Sequence, residues 1–444
     1  MARDAYAPVL EALAGDAGGL AAGVEELTRS EGVTFGAAED GLLALDPVPR
    51  LIDATEWQRV VRGVKQRADA LERFLEDVYG EREIVAAAGV PERVISGSEH
   101  FEPAMRGARP PGLWISVIGF DVVRGADRRL RVLEDQIRMP SGIAYAAAAR
   151  EIVSDVLPVE APPRDEIAAG FSWLGGALRA TAPPPAGDEP FVVLLSEGPG
   201  SAGWYEHVQI SQRAGLELVT LADLEREGDD VVRRDGDSRR RVDVVYQRTR
   251  EDRFTDAEGR PTAIGELLLE PCRAARVACV NAPGSGIGDD KLVHAYVEEM
   301  IRFYLREDPV LDSVESFDLA TEAGRSAALA EPEGMVFKPR GEMGGEGVVV
   351  WADVGEAVRA ATLAEIERAP ERMIAQRRVE LSTHPTVCDG RLAPRRVDLR
   401  PYLIRSPDGE WAMPGGLTRV ALQEGSLIVN SGQGGGVKDT WVLR

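Results

Sequence analysis

Residues 119–142 read GFDVVRGADRRLRVLEDQIRMPSG, and this stretch decides the fold. Two β-rich runs, 113–123 (LWISVIGFDVV) and 129–137 (RLRVLEDQI), flank the turn-like GADR at 125–128, so a hairpin is expected. Asp121 is expected to end the first strand. Glu134, Gln136 and Arg138 alternate along the second and share one face, while Asp135 points to the other. A carboxylate from one strand, with a carboxylate and an amide carbonyl from its neighbour, makes an oxygen-rich face of the kind magnesium shares with nucleotide phosphates. The same residues would also line an ordinary polar sheet face of charge pairs.

Moving outward, residues 335–351 read MVFKPRGEMGGEGVVVW. An apolar strand delivers Lys338, and a glycine-rich loop (Gly341, Gly344, Gly345, Gly347) follows. Glycines let a backbone close over a phosphate chain and offer it N–H donors, and a lysine next door adds a point charge. A glycine-rich hairpin with a solvated lysine is the plainer alternative. Residues 396–421, RVDLRPYLIRSPDGEWAMPGGLTRVA, read as two strands around SPDGE, with Arg400 and Arg419 near the middle and end of the pair. Arginines fixed on strands stabilise a transferring phosphoryl group, although arginines on exposed hairpins are common. Gly284, Gly286, Asp290 and Lys291 lie between a strand and a helix, either as an anion-binding helix start or as a capped β/α turn. There is no GxxxxGK[ST] loop and no GxGxxG opening a helix after a strand, so a nucleotide would be bound in another way.

The rest of the chain sets the frame. Residues 55–79 carry one apolar stripe from Trp57 to Val78 and predict a core-facing helix, with Thr55 and Gln58 as its capping box. A helix is expected in AYAAAAREIVSDVL, and 180–190 (ATAPPPAGDEP) is a proline-rich break. Strands and helices then alternate, with FVVLLSEG, LELVTL, VDVVYQR and VACVNAP as strands around a helix at Tyr205–Ala214. That is a β/α layer with a mainly parallel sheet. From Gly334 onward longer strands with hairpin-like turns are expected, interrupted by a helix near Val354–Arg368.

The 444 residues exceed one compact core. The charge is −22, from 52 basic and 74 acidic residues, which disfavours nucleic acid and anionic membranes as partners and requires any phosphate to be held by a local basic site. Three cysteines, with no CxxC pair, and scattered histidines argue against disulfide scaffolding or structural zinc. The acidic N-terminus does not resemble a signal peptide, and no stretch is apolar enough to span a membrane, so a cytoplasmic location is expected.

Several blocks in one order resemble the circularly permuted ATP-grasp proteins related to glutathionylspermidine synthetase: VLEDQIRMPSGIAY, Tyr205-Glu206-His207, RVDVVYQR, NAPGSGIGDDK, VFKP, PGGLTRVA and GGGVKDTWV. The likeness runs from about residue 40 to the C-terminus. It implies an α/β (α+β) fold in which the metal-binding pair comes first in sequence, a rearrangement that close chain ends permit. The organisation implied is an N-terminal extension at 1–40 with partial mobility, a permuted ATP-grasp segment with the metal-binding hairpin at 41–180, a β/α pre-ATP-grasp-like domain at 181–290, and an antiparallel nucleotide-binding region at 291–444.

Residue by residue, the resemblance assigns Asp290-Lys291 to the opening pair of the nucleotide region, Lys338 to the phosphates, and Gly344, Gly345, Glu346 and Gly347 to the lid. RMIAQRRVEL becomes the hinge, with Gln376 to Val379 beside the adenine. Arg400 and Arg419 become the catalytic arginines near the γ-phosphate, and Asp121, Glu134 and Gln136 the metal ligands. Two positions depart from the family pattern: Gln136 where Asn is usual, and Arg377 where an acid is common. The activity implied is an ATP- and Mg2+-dependent carboxylate–amine ligase acting through an acylphosphate. Its partners would be a small-molecule or peptide carboxylate and an amine, with proteins from the same gene cluster as candidates. An ATP-binding partner protein of the same fold without ligase activity, or a phosphotransferase, would use the same residues. Glu206 and His207 would face the acceptor pocket, or His207 is a buried structural histidine.

Overall fold

The computed structural model describes residues 2–36, 41–341, 347–426, 429 and 434–444. The helix Ala54–Tyr79 forms on the expected stripe and buries Trp57, Val60, Val64, Ala68, Leu71, Phe74, Leu75 and Val78. Its cap is Asp53, whose carboxylate accepts from the Thr55 N–H at 2.8 Å, rather than the Thr55–Gln58 box. Asp53 has extended backbone angles (φ −66°, ψ 142°), so the helix starts two residues earlier than the box requires. Gln66, Arg67 and Glu72 are also buried on this helix and tie it to neighbouring segments. The Ala/Gly-rich start forms the helix Ala2–Ser30, with Val9, Leu13 and Val24 buried.

Two sheets position the candidate site. One has five strands, in the spatial order Asp312–Ser313, Leu130–Gln136, Val117–Arg124, Tyr402–Ser406 and Gly409–Ala412. The expected hairpin is its centre, and Asp121 pairs with Glu134 across it. Asp121 lies inside the Val117–Arg124 strand rather than at its end, beside a register shift between Asp121 and Val122. The other sheet is antiparallel, in the order Ser316–Asp318, Met373–Arg377, Met335–Pro339 and Val349–Val350. These C-terminal strands are short, five residues at Met335–Pro339 and at Met373–Arg377.

The β/α layer is a fully parallel sheet of Ala278–Val280, Val244–Arg248, Val192–Ser196 and Glu217–Val219. The helix Ala263–Arg273 precedes its Ala278–Val280 strand. An antiparallel meander, Leu224–Glu227, Asp230–Asp235 and Ser238–Val242, inserts after the Glu217–Val219 strand and was not expected. Leu224, Val231, Val232 and Val242 are its buried apolar anchors, too few to stand out against RRDGDSRRR.

Residues 396–421 also depart from a simple hairpin. Tyr402–Ser406 and Gly409–Ala412 pair as expected, but Thr418–Val420 joins a different sheet, where Gly436–Val442 pairs antiparallel with it and parallel with Leu45–Ile52. The chain reverses through Gly415 and Gly416, both at positive φ. At Gly416 a Cβ would lie 2.2 Å from the Arg400 carbonyl oxygen, so only glycine lets the two segments approach. This turn lays 417–420 against 397–400, with Arg419 opposite Asp398, so that Arg419 and Arg400 meet at Asp121 instead of lying along one hairpin.

Candidate active site

Lys338 comes from the Met335–Pro339 strand and Glu134 from the five-stranded sheet. Lys338 is buried, and its ammonium donates to Glu134 Oε1 at 3.1 Å and Gln376 Oε1 at 2.7 Å. Gln376, on the neighbouring strand, is held in turn by the Leu133 carbonyl and Ser316 Oγ, each at 3.1 Å. The Gln376 side chain therefore braces Lys338. Gln136 donates from Nε2 to Glu134 Oε2 at 3.2 Å. Burial works to raise the Glu134 pKa, but Lys338 and Lys291 outweigh it and the net shift is downward. Glu134, Asp289, Lys291, His294, Lys338 and Gln376 line one small pocket. Burial raises Asp289 in this pocket to about 7.

Beside Glu134 lies a buried ladder of alternating charge. Arg400 grips Asp121 with two bonds, Nε to Oδ1 at 2.6 Å and Nη2 to Oδ2 at 2.9 Å. Arg419 reaches the same Oδ2 at 2.8 Å and donates from Nε to both oxygens of Asp398 at 3.0 and 3.1 Å. Burial opposes ionisation of Asp121, but the two guanidiniums hold its carboxyl well below the usual range. Asp398, with a single arginine partner, is raised, because burial prevails there. The sequence reading missed Asp398, although its i, i+2 spacing to Arg400 was available as a signal.

Asp290 caps the short helix Lys291–His294 by accepting from Leu292 N–H at 2.9 Å, and Arg340 grips its carboxylate at 2.9 and 3.1 Å. This is the capped β/α turn of the two alternatives, and it presents Lys291 to the Glu134 pocket. Asp135 points away from Glu134, as the alternation requires. It is fully buried between Arg67, at 2.8 and 2.9 Å, and His294 Nδ1, at 2.6 Å. Neither partner was read from the sequence.

Val379 lines a separate groove with Gly125, Arg131, Glu315, Arg377 and Glu380. Arg377 spends its guanidinium on Glu315 and Glu331, at 3.1 and 3.0 Å, and its backbone N–H on the Glu315 carbonyl. Gly344, Gly345 and Glu346 lie outside the described residues, and Gly347 follows them at φ +67°. Glu206 is buried; it accepts from the N–H groups of Gly142 and Ala144, from Ser141 Oγ, and from Arg248.

Among the described residues, no group of three or more His, Cys, Asp or Glu side chains converges as a metal cluster. The candidate donors are two carboxylates facing each other across a sheet and one amide, Asp121, Glu134 and Gln136, with Lys338, Arg400 and Arg419 around them. Oxygen ligands beside fixed cations fit a magnesium ion carried with nucleotide phosphates, which seldom needs an all-protein cage.

Comparison with known proteins agrees with this architecture. An uncharacterized protein of Mycobacterium leprae is 40% identical over 438 residues, covering 96% of this chain and 78% of that protein. A Frankia alni protein, provisionally named a glutamate–cysteine ligase, is 41% identical over 433 residues. That alignment covers 95% of this chain but half of the longer protein. A glutathione synthetase-like effector from Globodera pallida, solved in its apo form, superposes with a TM-score of 0.58 at 12% identity over 96% of both chains, a likeness of fold. Residues 49–421 match the family described as circularly permuted ATP-grasp type 2, and the chain belongs to that family.

Proposed function

We propose that this protein is an ATP-dependent carboxylate–amine ligase that activates its acid as an acylphosphate. The contact between Lys338 and Glu134 carries this reading, because it joins the phosphate-binding and acidic halves of the site. Lys338 uses two of the three donors of its ammonium on Glu134 and Gln376, which leaves one for a phosphate oxygen. Lys291 adds charge to the same pocket. Arg400 and Arg419, locked by Asp121 and Asp398, keep their orientation without reorganising, which is how fixed cations stabilise a phosphoryl group in transit.

In this scheme a carboxylate oxygen of the acid bonds to the γ-phosphorus as the bond to the bridging oxygen breaks and ADP departs. The amine nitrogen then attacks the acyl carbon. Phosphate leaves with the former carboxylate oxygen, and the amine gives up a proton. Magnesium held by Asp121, Glu134 and the Gln136 carbonyl would supply charge neutralisation across the phosphates. The chain's own contribution is placement and charge, in keeping with a site rich in Lys, Arg, Asp and Glu. The name of the Frankia relative suggests glutamate as the acid and an amino acid as the amine.

Nucleotide turnover tests the proposal. Lys338→Ala and Glu134→Ala should each abolish ADP formation in the presence of acid and amine. Full turnover in either variant would remove that residue from the mechanism.

A further inference from the structure

A second polar cluster lies at the C-terminal edge of the parallel sheet, the edge at which open α/β sheets take ligands. Ser196 ends its strand there and is the register partner of Arg248. The chain then runs through Glu197-Gly198-Pro199-Gly200-Ser201-Ala202-Gly203 into the helix Trp204–Ala214. A helix start alone says little, but His207 adds an independent observation. Its side chain is buried, with 3% of the residue exposed, and only one ring nitrogen is used, Nδ1 at 2.8 Å from Ser196 Oγ. Ser196 Oγ already accepts from the Gly198 N–H at 3.0 Å, and its own proton has no other acceptor among the described residues. That network assigns the hydroxyl proton to His207 Nδ1 and the ring proton to Nε2.

His207 Nε2 makes no hydrogen bond among the described residues and lies 3.3 Å from where a side chain on Gly203 would begin. The ring as a whole is buried, and its unbonded Nε2 faces the loop at Gly203. Burial, with Arg248 beside it, lowers the His207 pKa to about 3, so the ring is neutral at pH 7. The amides of Gly200 and Ala202 likewise donate to no acceptor among the described residues. The neighbouring buried carboxylate, Glu206, is already matched by Arg248 at 2.9 Å, and Glu197 accepts from the Arg250 N–H. Arg248 Nε and the Tyr246 hydroxyl are also buried without a partner.

The cluster is one residue away from the phosphate side of the site. Ser141 donates from Oγ to Glu206 at 2.7 Å, and its carbonyl accepts from Arg400 Nη1 at 3.3 Å. We propose that the Gly198–Gly203 loop, with His207 Nε2–H and the open amides of Gly200 and Ala202, holds a non-reacting carboxylate of the acid substrate. The proposal rests on the ligase reading and adds that the acid carries two carboxylates, one anchored at this loop and one presented toward Arg400.

The test uses the full chain labelled with 15N-histidine, with L-glutamate as probe and isoglutamine, which lacks the α-carboxylate, as control. L-Glutamate should shift the His207 Nε2 resonance saturably, and isoglutamine should not. Gly203→Val, which fills the space beside Nε2, should weaken the L-glutamate response roughly tenfold or more, as expected for losing one hydrogen bond to a charged group. Circular dichroism and the urea midpoint show whether that variant is folded, and His207→Phe assigns the resonance. No saturable shift in the wild type, an equal shift with isoglutamine, or an unchanged response in folded Gly203→Val would each overturn the proposal. ADP formation is read separately. Turnover without the His207 shift sinks this subsite alone, whereas the shift without any turnover supports the subsite and sinks the ligase reading.

Discussion

Lys338 Nζ sits 3.1 Å from Glu134 Oε1, although the two residues are 204 positions apart and belong to different sheets. Neither sheet contains a complete site. The Leu130–Gln136 strand brings carboxylate and amide, the Met335–Pro339 strand brings the ammonium, and Gln376 bonds to both sides through Lys338 and the Leu133 carbonyl. The chemistry therefore belongs to the junction, and changes that loosen it should act on turnover and on folding in separable ways.

Gln136 tests the metal-ligand assignment. Asn keeps the carbonyl but shortens the reach by one methylene, whereas Leu keeps the bulk and removes the ligand. Gln136→Leu should raise the Mg2+ concentration that half-saturates ADP formation by about tenfold or more, the scale of losing one metal-site contact. Gln136→Asn should stay nearer the wild type. Equal Mg2+ dependence in Leu and wild type would take Gln136 out of the metal site.

Asp135 tests the support behind Glu134. It is fully buried between Arg67 and His294, so Asp135→Asn strands a buried guanidinium. Removing one partner of such a pair costs about 3–5 kcal/mol. The urea midpoint should fall accordingly, and unchanged stability would contradict the placement of these groups.

Part of this candidate site was legible in advance because its members sit in local patterns: alternation for Glu134 and Gln136, and an apolar strand that delivers Lys338. The parallel order of the β/α layer was legible for the same reason, since four apolar runs alternated with helical texture. Arg67, His294 and Asp398 were not legible, because each earns its role from a partner brought by the fold rather than by spacing. Arg419 was placed on the wrong sheet because the turn at Gly415 and Gly416 redirects the chain, and a glycine pair does not announce which strand its neighbour will join. The meander at 224–242 was hidden by charge, since its outward arginines outnumber its buried valines.

Glu72 yields a pH prediction. It is buried and accepts from the N–H groups of Trp114 and Ile115, at 2.7 and 3.0 Å. Burial raises its pKa from 4.5 to about 7, against the lowering effect of those two N–H groups and Arg405. In the unfolded chain the group ionises near 4.5, while in the folded chain it keeps its proton until about pH 7. The unfolded state thus binds fewer protons across this window, and stability falls as pH rises from about 4.5 to 7, then levels off. The contribution is about 3 kcal/mol at 1.36 kcal/mol per pKa unit. Urea titrations at several pH values should show a shallower loss in Glu72→Gln than in the wild type. Parallel curves would contradict a raised Glu72.

The central claim is that this site phosphorylates a carboxylate, and oxygen transfer tests it most directly. The protein would be incubated with ATP, Mg2+, L-glutamate labelled with 18O in its carboxylates, and a panel of amino acids, and the released phosphate analysed by mass spectrometry. The account predicts ADP together with phosphate carrying one 18O atom, and loss of both in Lys338→Ala. Phosphate released without label would contradict it.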